Sequence, residues 1–547
     1  MLRPTFSGFQ VARRGINSSQ KLLDVTGQNI SNINTQGYTR QRVDLNSIAE
    51  SGGSRKYSGG VAGIGRGVMD MGPSQIRDKF LDIRYREQAS KVGKEDVIKN
   101  ALSDLENVFD EMTTEGLDAK VSYLKSQLQA LSQTPSNEVI EGVVKTAATM
   151  VTHLFNDYSK QIEKIASQQR DYLQEDAIPA VNNLMKNIAE LNEQIKRQNI
   201  QNDPALELND RRNMLIDELS TYMNIEVERT SVDIGNGKTV EELNIKNMDI
   251  DDGSGNNLYL IKNDEHAELG VDYTDKENIK LNLTKSIDSN FDIVTDPTKA
   301  DITADTNVGK LAGYLKFNNN KAEFVAGTNV DVKDRGYQYY KGMIDSVANK
   351  FAAEFNKLNC TDTNGDGTID PNLTGVADAS KDDPKFLFEA DGGGKITAAN
   401  IKISDAWRDT NQSYVINSTV PSEGNDNTAA NDNILKMIAL FDKNLDFDSV
   451  GDGTGNHLFD GTLQQCLSHT TTTLGLQINN TKSSFTNYLE TLTQVDKMRS
   501  SISGVSLDEE GINLLTYNKS YSAASRLMTT LDEALDVLIN RTGRVGL

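Results

Sequence analysis

The C-terminal end of the chain places the strongest constraint on its fold. An apolar seam runs Leu514, Tyr517, Tyr521, Ala524, Met528, Leu531, Leu535 and Leu538, in alternating steps of three and four. This is the a/d spacing of a coiled-coil helix, and no Gly or Pro interrupts it between Ile512 and Thr542. Asp508, Glu509 and Glu510 cluster at the expected helix start, where acidic groups suit the macrodipole. At the other end, Phe9, Ala12, Ile16, Leu23, Ile30 and Ile33 fall on a weaker seam of the same kind, with Ser19 and Thr26 between them. Gly15 and Gly27 weaken this second helix by about 1 kcal/mol each relative to Ala.

Seams this narrow do not hold a helix together alone. One buried Leu contributes roughly 1.5–3 kcal/mol, and fixing each backbone residue costs about 1–2 kcal/mol. An isolated helix of this length is marginal in water. The two ends therefore need mates, either each other or a neighbouring subunit. The expectation is that they are largely disordered in the monomer and order on assembly.

The middle reads as helices interrupted by two unlike segments. Helical patterns cover Ile76 to Phe109, Ser136 to Tyr172, the seam Val181, Leu184, Ile188, Leu191, Ile195 after Pro179, and Arg211 to Tyr222. Further helices are expected over Tyr337 to Leu358, Asn433 to Phe441 and Ile478 to Ile502. Ile225 to about Ala304 and Thr361 to Asn431 are rich in Asp, Asn, Gly and Thr, with short alternating runs, and read as β-rich insertions. The predicted fold class is α+β and multidomain. Terminal coiled-coil helices join a long-helix bundle body that carries β-rich outer insertion domains. The expected units are 1–72 with 503–547, 73–225 with 305–360 and 431–502, 226–304, and 361–430.

Charge and composition remove several functions. A net charge of −22 disfavours nucleic-acid binding, which needs clustered Lys and Arg, and suits a subunit kept soluble before assembly. Two distant cysteines, Cys360 and Cys466, exclude a disulfide framework and leave one long-range bridge open. The N-terminal segment lacks the apolar stretch of a secretory signal, and no run is long enough to span a membrane.

Two terminal motifs carry a resemblance. Residues 22–43, LLDVTGQNISNINTQGYTRQRV, resemble the N-terminal signature of flagellar rod, hook and hook-associated axial proteins. Residues 503–539, SGVSLDEEGINLLTYNKSYSAASRLMTTLDEALDVLI, resemble the matching C-terminal signature. Internally, LNDRRNMLIDEL at 208–219, VGKLAGYL at 308–315 and the helix ending AAEFNKLN are similar to hook-associated members rather than to the hook protein. The resemblance implies a structural subunit at the junction of hook and filament, not an enzyme. It would be exported without a cleaved signal by the flagellar type III apparatus, and so be secreted after a transient cytoplasmic stage. Implied partners are further copies of the chain in a helical ring, the hook protein, a neighbouring junction protein, and an export chaperone on the C-terminal helix. No cofactor, membrane or nucleic acid is implied. The resemblance gives the C-terminal seam, together with Asn29, Ile30, Asn32, Asn34, Gly37 and Tyr38, a role in the assembly interface. The alternatives are another axial protein of the family and a secreted calcium-binding adhesin.

The adhesin reading rests on one motif. Asp362, Asn364, Asp366 and Asp370 match the first ligand positions of an EF-hand loop, with Gly367 at the sharp turn. Leu373 stands where the bidentate Glu belongs, and Pro371 breaks the following helix. The segment 451–456 lacks the context of a phosphate loop. His153, His266, His457 and His469 show no metal-ligand spacing.

Overall fold

The computed structural model describes residues 6–541 apart from 49–66, 112–115, 136, 234–238, 252–256, 288–292, 295–300, 304–305, 321–334, 364–369, 371–379, 383, 411, 419–429 and 449–456. Helix α1 (Phe6–Ser31) leads into an antiparallel hairpin, β1 (Gln41–Ser47) and β2 (Val68–Gln75). Five helices follow: α2 (Lys79–Glu111), α3 (Leu117–Gln133), α4 (Glu138–Asp171), α5 (Ile178–Ile200) and α6 (Leu206–Tyr222). Seven strands come next: β3 (Ile225–Asp233), β4 (Thr239–Asp251), β5 (Asn257–Lys262), β6 (Glu265–His266), β7 (Glu268–Asp272), β8 (Lys280–Ile287) and β9 (Ile293–Val294). Then come α7 (Lys310–Asn319), α8 (Tyr337–Leu358), β10 (Phe388–Ala390), β11 (Ile401–Ile403), α9 (Asp405–Asp409) and α10 (Asp432–Ala439). A hairpin of β12 (Leu445–Asp448) and β13 (His457–Gly461) precedes α11 (Leu463–Ser503) and α12 (Leu507–Asp536).

Local chemistry explains the main helices. Asn137 caps α4 by accepting from the amides of Val139 and Ile140 at 3.0 and 3.3 Å. Instead of ending, α4 passes through one π turn, Tyr172–Ala177, into α5. Pro179 lies in the first turn of α5, just past the π turn, where the fixed φ of proline suits the helix. Helix α11 begins at residue 463 rather than near 478, because Thr462 and Gln465 form a reciprocal capping box. The threonine run after it masks the helical period.

Two cores form the body. The first joins α2, α3, α4, α8, α10 and the start of α11 around Leu105, Phe155, Tyr340, Phe351 and Phe355. The second packs α5, α6 and α7 against a seven-stranded antiparallel sheet, order β3-β4-β5-β8-β7, with β6 on β5 and β9 on β8. The strand-rich reading of 225–304 agrees with this sheet. Segment 361–430 carries less strand than expected: among its described residues, β10 and β11 pair over three residues each, and Pro384 forms a single bridge with Cys360. Trp407 centres no separate core there. It is 1% exposed and belongs to the first core, edge-on to Phe388.

Side-chain amides pin the inserts to the helices. Asn356 on α8 bonds the amides of Leu387 and Phe388 and the carbonyl of Phe388. Asn182 on α5 bonds both backbone groups of Leu269, and Asn192 reaches the carbonyls of Leu243 and Asn263. Glu141 on α4, 4% exposed, accepts from Trp407 Nε1, Ser413 Oγ and the amides of Tyr414 and Val415 at 2.7–3.4 Å. These side chains bond backbone groups both in strand residues, Leu243, Leu269 and Phe388, and in the strandless segment at 414–415. The buried face at the start of α4 is offset from Val139 and Val143. Val139, Val143 and Met150 are exposed, while Val144, Ala148 and Val151 turn inward toward the first core, which α3 helps to build. Helix α3 lies outside the helices expected from sequence.

Candidate functional site

The two ends of the chain pair with each other. A Cβ built on Gly8 would stand 3.1 Å from Leu531 Cδ1, and one on Gly15 would stand 3.5 Å from Ala524 Cβ. Stepping forward along α1 matches stepping backward along α12, so the pair is antiparallel. The close approach of α12 is at Gly8; Gly15 makes an ordinary contact with Ala524, and Gly27 faces open space. With the hairpin β1–β2 this pair forms an arm, and none of its residues belongs to either core. Tyr517, Ala524, Met528, Leu531 and Leu535 of the predicted seam are half-buried, while Leu514, Tyr521 and Leu538 are exposed. Ile512, Leu515 and Ile539 are also exposed, at 63–65%. The one fully buried side chain of α12 is Glu510.

Three chain segments link the arm to the body, and they bond to one another. The Arg40 amide donates to the Ser503 carbonyl at 2.8 Å, and the Ile76 amide donates to the Arg40 carbonyl at 2.9 Å. The Arg40 guanidinium reaches Glu510 at 2.8 Å and Glu509 at 2.5 Å. Helix α6 is the platform beneath them. Its Asp210 accepts from the Thr39 amide at 3.0 Å, Glu207 from Gln28, and the Leu206 carbonyl from Gln75. Beside this joint, Asp217 binds Arg86 at 2.8 Å and Arg499 at 2.5 Å, and Asp82 binds Arg77 at 2.6 Å. The Arg499 guanidinium lies 3.9 Å over the Tyr85 ring.

The predicted residues 29–38 lie at this joint. Asn29 is buried, and its amide closes the turn by pairing with both backbone groups of Gln41 while accepting from the Tyr38 hydroxyl at 2.9 Å. Tyr38 is pushed up to about 12, first by burial and then by Asp210, Glu207 and Glu510 nearby. Asn32 accepts from Thr35 and donates to the Gln28 carbonyl. Ile30 is half-buried and Asn34 exposed. Gly37 adopts φ +77°, and a Cβ there would meet Met214 Sδ at 2.5 Å. The run therefore packs on α6 of its own chain. Arg40, Arg77, Asp210, Asp217 and Arg499 belong to the joint and have no expected role from sequence, because charged residues scattered over several segments carry no period; Glu510, expected only as a helix-start acid, joins them. Asp210 and Arg40 do lie inside motifs whose resemblance was noted.

Other candidates fall elsewhere. Of the calcium motif, Asn364 and Asp366 lie outside the described residues. Asp362 and Asp370 flank them, and Asp370 is ion-paired with Lys381. Buried Asp382 accepts from the amides of Thr363 and Asp370 at 2.8 and 3.0 Å, which ties the two ends of that segment together. Both cysteines are buried and unbridged, and burial pushes the Cys466 thiol up to about 12. His469 stacks on Phe459. His457 lies among exposed carboxylates, with Nδ1 2.5 Å from Asp446 and Nε2 3.4 Å from Asp460. Asp446, His457 and Asp460 each offer one donor atom within 4.8 Å of the others, and all three are exposed.

Comparison with known proteins agrees with this layout. Residues 102–373 match the family described as "Flagellar hook-associated protein FlgK helical domain". Residues 9–39 match "Flagella basal body rod protein", and 491–541 match "Flagellar basal body rod FlgEFG protein C-terminal". The flagellar hook-associated protein 1 of Bacillus subtilis is 27% identical over 553 residues, covering 99% of each chain. That of Salmonella typhimurium is 22% identical over 591 residues, covering 97% of this chain and 98% of its own. In fold, the chain resembles the solved flagellar hook junction protein FlgK from Burkholderia pseudomallei. The TM-score is 0.52 at 11% identity, over 78% of this chain and 100% of that one.

Proposed function

Because the chain belongs to the flagellar hook-associated protein 1 family, we infer that it works as a structural subunit where the flagellar hook meets the filament. One observation carries the mechanism. The arm shares no residue with either core, and it leaves a row of apolar side chains on α12 uncovered. Burying each such Leu or Ile contributes about 1.5–3 kcal/mol. Neighbouring arms in a tube supply that cover, so assembly and arm order reinforce each other. The body hangs from the arm through the Arg40–Ser503–Ile76 crossing, whose ion pairs and backbone bonds pass load from one to the other.

In this reading the exposed seam residues Leu514, Tyr521 and Leu538 form the arm-to-arm interface, while Ala524 and Leu531 pack on α1 of their own chain. Asn29 to Tyr38 contribute indirectly, by fixing the angle at which the arm leaves the body. The chain leaves the cell through the flagellar export apparatus, and the exposed face of α12 is the surface a chaperone covers beforehand. The role is structural rather than enzymatic. Among the described residues, no helix is long and apolar enough to cross a membrane.

Deleting the gene is expected to leave cells with hooks but no filaments, and with flagellin shed into the medium. A plasmid copy should restore filaments. Normal filaments on the deletion strain would overturn the junction role.

A further inference from the structure

Hairpin β12–β13 lays one face on the first core and turns the other to solvent. Leu445, Phe447 and Leu458 are buried in that core. The side chains of Asp446, Asp448, His457 and Asp460 are 43–75% exposed. In a regular strand, residues 457 and 460 would point to opposite sides. A register shift at Phe447/Asp448 sets Asp446 opposite Asp460 and Asp448 opposite His457, so the extra residue in β13 turns His457 in among the three carboxylates. Its Nδ1 lies 2.5 Å from Asp446 Oδ1 and 3.9 Å from Asp448 Oδ1, and its Nε2 lies 3.4 Å from Asp460 Oδ2. Like charges directly across a ladder destabilise it, as Asp446 and Asp460 do here. Three carboxylates against one imidazole leave the group net negative whatever the ring's charge. A ring nitrogen and a carboxylate oxygen in such close contact repel unless a proton or a cation lies between them.

We propose that this face binds a divalent transition ion of the zinc class, with His457 Nδ1 and the carboxylates of Asp446 and Asp448 as ligands and solvent completing the shell. An imidazole nitrogen with carboxylate oxygens is a donor set that zinc accepts, whereas calcium takes six or more oxygens. Donors around a tetrahedral zinc stand about 3.3 Å apart, given bonds of about 2.0–2.2 Å. The two distances from Nδ1, 2.5 and 3.9 Å, bracket that value. Asp460 has a different task. A metal-bound imidazole commonly donates its second N–H to a carboxylate, which fixes the ring, and the contact between Nε2 and Asp460 is of that kind. All four side chains are open to solvent, so an ion reaches them without any rearrangement of the core. Once bound, it joins β12 to β13 and offsets the repulsion between them.

Calorimetric titration of the untagged full chain with zinc chloride is the test, run beside His457→Ala and Asp460→Asn. The parent should bind one zinc ion per chain, and its thermal transition should rise as zinc is added. His457→Ala is expected to lose at least a hundredfold in affinity and to show no zinc-dependent rise. Asp460→Asn, which leaves the ligands in place, should lose about tenfold. Both changes alter exposed side chains, so the metal-free thermal transition of each variant should match the parent's. Calcium chloride at the same concentration should give neither heat nor shift. The proposal is overturned if the parent shows no zinc response, or if His457→Ala binds as the parent does. It is equally overturned if calcium matches zinc, which would reduce the face to a cluster of acids.

Discussion

A chain lacking residues 507–547 should fold, export aside, and never join a hook. The prediction follows from where the cores lie. Neither contains a residue of α12, and only Glu510 of that helix is fully buried. Losing it removes the Arg40 pairs and the cover on α1, which are surface-level terms for the body. The body's unfolding transition is expected to move by about 2 °C or less. Incorporation onto purified hooks should fall below detection, because the truncated chain presents α1 without its mate. Calorimetry and electron microscopy of the same preparation check both halves. A truncated chain that still decorates hooks, or one whose body melts far below the parent, would refute the separation of arm from body.

The second large effect lies in the body. Replacing Glu141 by Ala removes a carboxylate that four donors share, namely the Trp407 indole, the Ser413 hydroxyl and the amides of Tyr414 and Val415. All four would face a void beside the first core. Stranded buried donors cost about 1–3 kcal/mol each before relaxation, so a net loss of about 3–5 kcal/mol is expected. Glu141→Gln keeps one oxygen for the backbone amides and should lose less. Urea unfolding measures the totals, and limited proteolysis should show new cleavage within 404–416. An alanine variant within about 0.5 kcal/mol of the parent would mean that the segment is held some other way.

The sequence made the long elements legible and the joints obscure, for physical reasons. A seam such as Val181 to Ile195 repeats often enough to reveal its helix, and the alternating runs around 258–283 revealed the sheet. Helix α3 escaped notice because polar and small residues break up its stripe of Leu117, Leu124, Leu128 and Leu131. The early start of α11 was written in Thr462 and Gln465, a two-residue signal easily lost beside a threonine run. Hairpin β12–β13 is short and rich in Asp, and β1–β2 carries a register shift at Val43/Leu45 and Gly72-Pro73, so alternation barely develops in either. Docking of 385–416 onto α4 and α8 depends on Glu141, Asn356 and Trp407 meeting across distant sequence, which no local pattern encodes. The joint is harder still. Tyr38 and Asn29 were found through resemblance, but their partners, Gln41 and the acids on α6, are fixed only by the fold.

The central claim is that the paired ends are too thinly buried to stay ordered alone and gain their stability from neighbours. Amide hydrogen exchange across 507–541, compared between purified monomer and assembled junctions, tests it directly. In the monomer these amides should exchange nearly as fast as in an unfolded chain while those of α8 stay protected, and assembly should slow them strongly. Protection in the monomer equal to that of α8 would contradict it.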